Sequence, residues 1–266
     1  MDYNKQAGLK DLVVLVTRPA GQAGPLCQLL ESAGATAVQF PTIAVEAPED
    51  AAEARACLAN IDQYQLVIFV SANAVKWAFK LGLQETGIPE TVKIATVGAK
   101  TAAVLQAQGY RTDICPQGVA NTESLTALDS LKDVSKQYVL IIRGQGGREK
   151  LADILRARGG KIDYCEVYRR RRPDVDLCQW IQRSQARVDV AVATSNEGLR
   201  NLFDMAGESC QAAVLSWQLI VFSERAVVLA RELGFKRPAV VAQATNDVGL
   251  VDAIREWRGR SVDLEG

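Results

Sequence analysis

Leu66-Val67-Ile68-Phe69-Val70-Ser71-Ala72-Asn73 is the stretch that decides the fold. An unbroken apolar run of this length, without polar alternation, suits a strand covered on both faces. Ser71 directly after it is a residue type that caps helix N-termini. An apolar helical face reaching Phe79 follows. A doubly covered strand running straight into a helix is half of a βαβ unit, so the segment predicts a parallel sheet sandwiched by helices.

The same pattern recurs downstream. Val190–Thr194 ends at Ser195, and Phe203 stands where Phe79 stands. Leu12–Val16, a glycine turn at Gly21, and a face of Leu26, Leu29, Leu30 and Ala33 ending at Gly34 match Tyr138–Ile142, Gly144, Gly146, Gly147 and a face of Leu151, Ile154 and Leu155 ending at Gly159. Lys93–Gly98, with a helix closing at Gly109, matches Leu219–Ser223, with a helix closing at Gly234, and Asn121 and Leu125 match Asn246 and Leu250. All of these pairs share an offset of about 125 residues, which implies a duplicated unit. The 266 residues therefore read as two α/β units of flavodoxin-like size. The segments at 37–45 and 162–168 lie near the joins and are expected to be extended strands passing between them.

Composition narrows the function. Apolar residues are 48% and charged residues 23%, as in ordinary globular proteins. Lys and Arg total 31 and Asp and Glu total 31, which argues against nucleic-acid binding through bulk positive charge. Histidine is absent, so imidazole cannot serve as base, nucleophile or metal ligand. The six cysteines are scattered without a CxxC pair, which predicts reduced thiols in a cytoplasmic protein and no metal site. No apolar run is long enough for a membrane helix, and the first residues lack a signal-peptide core.

In an open parallel sheet, ligands sit beyond the carboxyl ends of the strands. The strands here end in Thr17-Arg18, Ser71-Ala72-Asn73, Gly98, Arg143-Gly144 and Ser195-Asn196. Such ends bind anions through free N–H groups, and the same residues also cap helices. Gly144–Glu149 is glycine-rich but lacks the Lys-Ser/Thr of a phosphate loop, and no GxGxxG follows the first strand. Arg169–Arg172 is the densest positive run and reads either as a solvated flank or as a basic lip for a polyanion. No carboxylate pair or nucleophile–base set can be assembled, so catalysis must rest on positioning and electrostatics.

Val14-Leu15-Val16-Thr17-Arg18-Pro19, Phe40-Pro41, Val67–Val75, Ala95–Ala102, Glu166–Arg170 and Ala193–Leu199 together resemble the uroporphyrinogen-III synthase family, over about residues 12–256. The resemblance implies two flavodoxin-like parallel-sheet domains joined by a two-stranded β-ladder. Residues 1–37 with 174–266 would form one domain, 48–161 the other, and 38–47 with 162–173 the connecting strands. It implies a cytoplasmic, monomeric enzyme without cofactor, acting on neither nucleic acid nor membrane. That enzyme cyclises hydroxymethylbilane, handed over by the deaminase, with loss of water and inversion of ring D. By the same resemblance Tyr168 assists departure of the hydroxyl. Ser71, Ser195, Thr101, Asn121, Thr122, Ser124, Gly98, Gly144, Gly146 and Gly147 would hold carboxylate arms, with Thr17 and Ser223 at matching strand ends. Arg18, Arg143, Arg148 and Arg225 are carboxylate partners by their chemistry. Ala226 stands where the second copy of Thr101 is expected, so Ser223 and Arg225 either replace that contact or the contact is missing. A non-catalytic two-lobed sensor of a small anion is the rival reading. A sugar-nucleotide transferase is disfavoured because no diphosphate loop is evident.

Overall fold

A computed structural model describes residues 8–184 and 187–262. In chain order the elements are β1 (Val13–Val16), α1 (Ala20–Ser32), β2 (Thr36–Gln39), β3 (Ala44–Glu46), α2 (Ala51–Ala59), β4 (Leu66–Phe69), α3 (Ala72–Ala78), α4 (Gln84–Thr86), β5 (Lys93–Thr96), α5 (Ala99–Gln106), α6 (Thr122–Thr126), β6 (Tyr138–Gly144), α7 (Lys150–Ala157) and β7 (Lys161–Arg171). There follow α8 (Leu177–Ser184), β8 (Val190–Ala193), α9 (Asn196–Val214), β9 (Gln218–Val221), α10 (Glu224–Glu232), β10 (Val240–Val241) and α11 (Asp247–Val262). Two compact units result, residues 1–44 with 171–266, and residues 45–170.

The first unit holds a sheet of order β10-β9-β8-β1-β2, with every pairing parallel. Its inner strands β1, β8 and β9 are apolar but for Gln218, because both faces are covered. Val14, Val16, Val190 and Val192 pack under Leu26 and Leu30 of α1 and Leu250 and Ile254 of α11. Leu15, Ala191, Leu219 and Val221 pack under Leu177 of α8, Leu202 of α9 and Leu229 of α10. The second unit holds a sheet of order β3-β7-β6-β4-β5, in which the β7-β6-β4-β5 pairings are parallel. Helices α2, α3 and α5 cover one face, and α6 and α7 cover the other.

The duplication expected from the sequence is visible in strand order. β9-β8-β1-β2 and β5-β4-β6-β7 follow the same spatial path. Even β10 has a remnant counterpart, since Ala95 of β5 makes one parallel bridge to Ile114. Of the segments expected to connect the units, Val38 and Gln39 fall in β2 of the first sheet, while β3 and β7 are neighbours at the edge of the second. Among the described residues no helix is long and apolar enough to cross a membrane.

One expectation is corrected. The cysteines are not all reduced, because Cys178 of α8 and Cys210 of α9 form a disulfide. Helices α8 and α9 pack on the same face of the first sheet, which brings the two Cα atoms to 5.5 Å. The two residues are 32 positions apart, a separation that gives no pairing signal in sequence. Cys27 and Cys165 are buried thiols, while Cys57 and Cys115 are half-buried. Thiol titration of the unfolded protein without reductant should therefore count four groups, rising to six after reduction. A count of six before reduction would remove the bond.

Candidate functional site

The parallel strands of each sheet all end on one edge, and the helix starts beyond them repeat one chemistry. Ser71 caps α3 by accepting from the Ala74 N–H at 3.1 Å. Ser195 accepts from Gly198 at 3.0 Å and Ser223 from Ala226 at 3.3 Å. Asn121 accepts from Ser124 at 2.7 Å and Asn246 from Gly249 at 2.9 Å. Each of these hydroxyls or amides satisfies an N–H group that the helix itself leaves unpaired. Gly98 begins α5 without a side-chain cap. A Cβ at Gly98 would lie 2.3 Å from the Ala120 Cβ, so its bareness lets the loop before Asn121 fold over the strand end.

In the second unit the register places β4, β5, β6 and β7 side by side at this edge. Phe69 faces both Thr96 and Ile142, and Gly144 faces Tyr168. Tyr168 is 7% exposed, and its Oη lies 3.2 Å from the Ser71 Oγ. Its ring lies against Gly144, where a Cβ would come within 2.6 Å of two ring carbons. The Gln145 N–H donates to the Tyr168 carbonyl at 2.8 Å. Thr101 is buried one turn into α5, and Thr122 opens α6 behind Asn121.

The loop after β6 is held by a charged knot. Arg143 donates to Glu166 Oε1 from Nε at 3.0 Å and from one terminal nitrogen at 2.9 Å. The other terminal nitrogen reaches the Gly147 carbonyl at 3.2 Å and Glu149 Oε1 at 2.8 Å. The guanidinium stacks 3.6 Å from the centre of the Tyr164 ring, and the Tyr164 hydroxyl donates to Glu149. Burial opposes the Arg143 charge, but the two glutamates outweigh it and raise its pKa. The hydrogen bonds from Tyr164 and Arg143 hold the Glu149 carboxyl below its ordinary range. Gly146 adopts φ +68 in the turn at 145–146, and the main-chain N–H groups of Gly146 and Arg148 have no acceptor among the described residues.

Several first-unit residues expected to face a ligand are committed within the fold. The Thr17 hydroxyl donates to the Val192 carbonyl at 2.7 Å and is buried. Arg18 pairs with Asp247 at 2.5 Å beside the Phe222 ring. Arg225 and Arg148 are exposed. The run at 169–172 is substantially neutralised, Arg169 by Glu46 and Glu49 and Arg172 by Asp204. Sequence reasoning missed Asn246 as a cap in its own right, Asp247 as the partner of Arg18, and Glu149, Tyr164 and Glu166 as the knot. Only Asn246 carried a signal, its repeat match to Asn121.

Comparison with known proteins agrees with this architecture. The family model for uroporphyrinogen-III synthase HemD matches residues 25–251. The chain is 32% identical over 237 residues to the uroporphyrinogen-III synthase of Escherichia coli K12, covering 88% of this chain and 96% of that one. It is also 32% identical over 238 residues to the Salmonella typhimurium protein of the same name. Two solved structures share the fold. One is a mutant uroporphyrinogen III synthase from Thermus thermophilus, with a TM-score of 0.59 at 19% identity, covering 93% of this chain and 99% of that one. The other, from Helicobacter pylori, has a TM-score of 0.59 at 14% identity, covering 92% and 99%.

The Tyr168–Gly144 contact leads to a direct test. Gly144→Ala puts a methyl where the ring now lies, and overpacking of this kind costs about 1–3 kcal/mol. Urea denaturation should show that loss. A variant as stable as the parent would mean that the ring does not rest on Gly144.

Proposed function

We propose the reaction from family membership and the strand-edge chemistry together: this chain belongs to the uroporphyrinogen-III synthase family, and it is an enzyme that closes hydroxymethylbilane to uroporphyrinogen III. The substrate is a linear tetrapyrrole with acetate and propionate arms on its pyrroles. Left alone it closes to the symmetric isomer. The enzyme must hold one folded shape long enough for ring D to invert, which is a task of positioning.

The observation that carries the reading is the Ser71–Tyr168 contact at the carboxyl edge of the second sheet. A serine hydroxyl has one proton and two lone pairs. Ser71 already accepts from the Ala74 N–H, so its own proton is available to the Tyr168 oxygen. In that arrangement the phenol proton is directed away from Ser71 and toward a ligand. Tyr168 donates it to the terminal hydroxyl of the bilane as the C–O bond breaks with its electron pair on oxygen. Water leaves, and the pyrrole nitrogen supplies the electrons that form the azafulvenium cation. The substituted carbon of ring D attacks that cation, and the spiro intermediate fragments and recombines with ring D inverted. The ring carbon that finally closes the macrocycle loses a proton, which restores the phenol.

Around this centre, the N–H groups of Gly146 and Arg148 and the hydroxyls at Thr101, Thr122 and Ser124 take carboxylate arms. In the other unit Ser195, Ser223 and Arg225 do so. Arg18 contributes through its pairing with Asp247, with Thr17 shaping the strand end beneath it. Gly98 leaves room for the loop that presents Asn121. The reading includes a monomeric, cytoplasmic enzyme that needs no cofactor and receives its substrate from the deaminase.

The test supplies porphobilinogen and the deaminase, oxidises the products and separates the uroporphyrins. Wild-type protein should turn the product from type I to type III. Tyr168→Phe removes one oxygen only and should lower turnover about tenfold or more. Type I product with wild-type protein would overturn the assignment, and an unchanged rate in Tyr168→Phe would remove the phenol from it.

A further inference from the structure

Tyr168 lies on the wrong face of its own strand for regular alternation. Val67 and Phe69 of β4, Leu140 and Ile142 of β6, and Cys165 and Val167 of β7 share one core with residues of α2, α3 and α5. Leu66, Ile68, Val139 and Ile141 belong to the other core, with Ile162 and Tyr164 against it. Side chains alternate along a strand, so Ile162, Tyr164, Glu166 and Tyr168 should all point to this second face. Glu166 obeys the rule, since its partner Arg143 stacks on Tyr164. Tyr168 breaks it. It sits in the first core with Cys165 and Val167, beside Ser71 at the start of α3.

The register contains the reason. Arg143 faces Glu166, but the next residue of β6, Gly144, faces Tyr168, so Val167 is an extra residue in β7. A bulge adds one residue to a strand and re-aims the side chains beyond it. A bulge is stable only where something stops it from sliding, because a one-residue slip sends every later side chain to the opposite face.

We propose that the Arg143–Glu166 pair is the pin that fixes this bulge and thereby aims the Tyr168 phenol at Ser71, so that Arg143 is a positioning residue and not a partner of the substrate. The pair is the last in-register couple before the skip. Arg143 is 8% exposed, and both its Nε and its terminal nitrogens are engaged. Sliding the bulge back along β7 would part Arg143 from Glu166 and from the Tyr164 ring. On the far side of the skip the same guanidinium holds Gly147 and Glu149, which keeps the loop from drawing Gly144 away from the ring. The proposal deepens the reading of Tyr168 above and rests on it for its kinetic consequence alone.

The experiment is a double-mutant cycle with a structural readout beside it. Arg143→Met and Glu166→Gln are made singly and in the Tyr168→Phe background, and turnover and KM are measured in the coupled assay. Arg143→Met alone should lower kcat about ten- to a hundredfold, with a smaller change in KM. In the Tyr168→Phe background the same change should cost less than about twofold, because the two residues act as one device. Equal losses in both backgrounds overturn the proposal. Glu166→Gln carries the cycle if Arg143→Met does not fold by circular dichroism. Independently of activity, protein labelled with 3-fluorotyrosine gives a fluorine resonance for Tyr168, identified by its loss in Tyr168→Phe. That resonance should shift in Arg143→Met and in Glu166→Gln, and an unmoved resonance overturns the pin whatever the enzyme makes. Failure of the wild-type protein to give type III product would instead sink the function and leave the pin to be judged by the resonance.

Discussion

Helices seal both faces of each sheet, and that constraint confines the chemistry to the strand ends. A parallel strand covered on both sides has no side chain free to meet a ligand along its length. Val67, Phe69, Val190 and Val192 are fully buried for this reason. At the carboxyl edge the backbone leaves the sheet and enters a helix whose first N–H groups have no partner in the helix. Every cap described here lies at that edge: Ser71, Asn121, Ser195, Ser223 and Asn246. A ligand rich in carboxylates offers the acceptors that such an edge lacks.

Capping and ligand binding compete for the same atoms, and the geometry separates them by counting lone pairs and protons. A capping serine uses an acceptor site and keeps its proton. At Ser71 the Tyr168 oxygen is within reach of that proton. On the proposed reading, a protein without histidine draws its acid from a buried phenol beside a satisfied cap. The Gly144 surface beneath the ring is part of the same device, because any side chain there would displace it.

The fold is legible in the sequence because it rests on patterns within single segments. Leu66–Val70 and Val190–Thr194 announce buried strands, and Ser71, Ser195, Asn121 and Asn246 announce helix starts at a constant offset. The features that escape such a reading depend on relations between segments. Ile162-Asp163-Tyr164-Cys165-Glu166-Val167-Tyr168 reads as an ordinary strand, and nothing in those letters marks Val167 as the extra residue. The bulge exists only relative to β6, in which Gly144 leaves room for the ring. Arg143 reads by residue type as a ligand for carboxylates, and the carboxylates it meets are Glu149 and Glu166 of its own unit. The Cys178–Cys210 bond has the same character, since its partners are set by how α8 and α9 share a sheet face.

Duplication leaves the two units with equivalent frames and unequal chemistry. Ser195 repeats Ser71, yet the strand beside β1 in the first sheet is β2, which ends at Gln39 with Phe40 following, where β7 of the second unit carries Tyr168. Ala226 repeats Thr101 as a buried residue without its hydroxyl, while Ser223 supplies a capping oxygen where Gly98 has none. Arg18 occupies the position of Arg143 in the repeat and is drawn to Asp247, and Pro19 stands where Gly144 does. The first unit thus keeps the capped edge and offers charge and amides, and it lacks both the phenol and the bare glycine that the phenol rests on. If the phenol is the acid, as we propose, a reaction that loses a single water needs it in one unit alone.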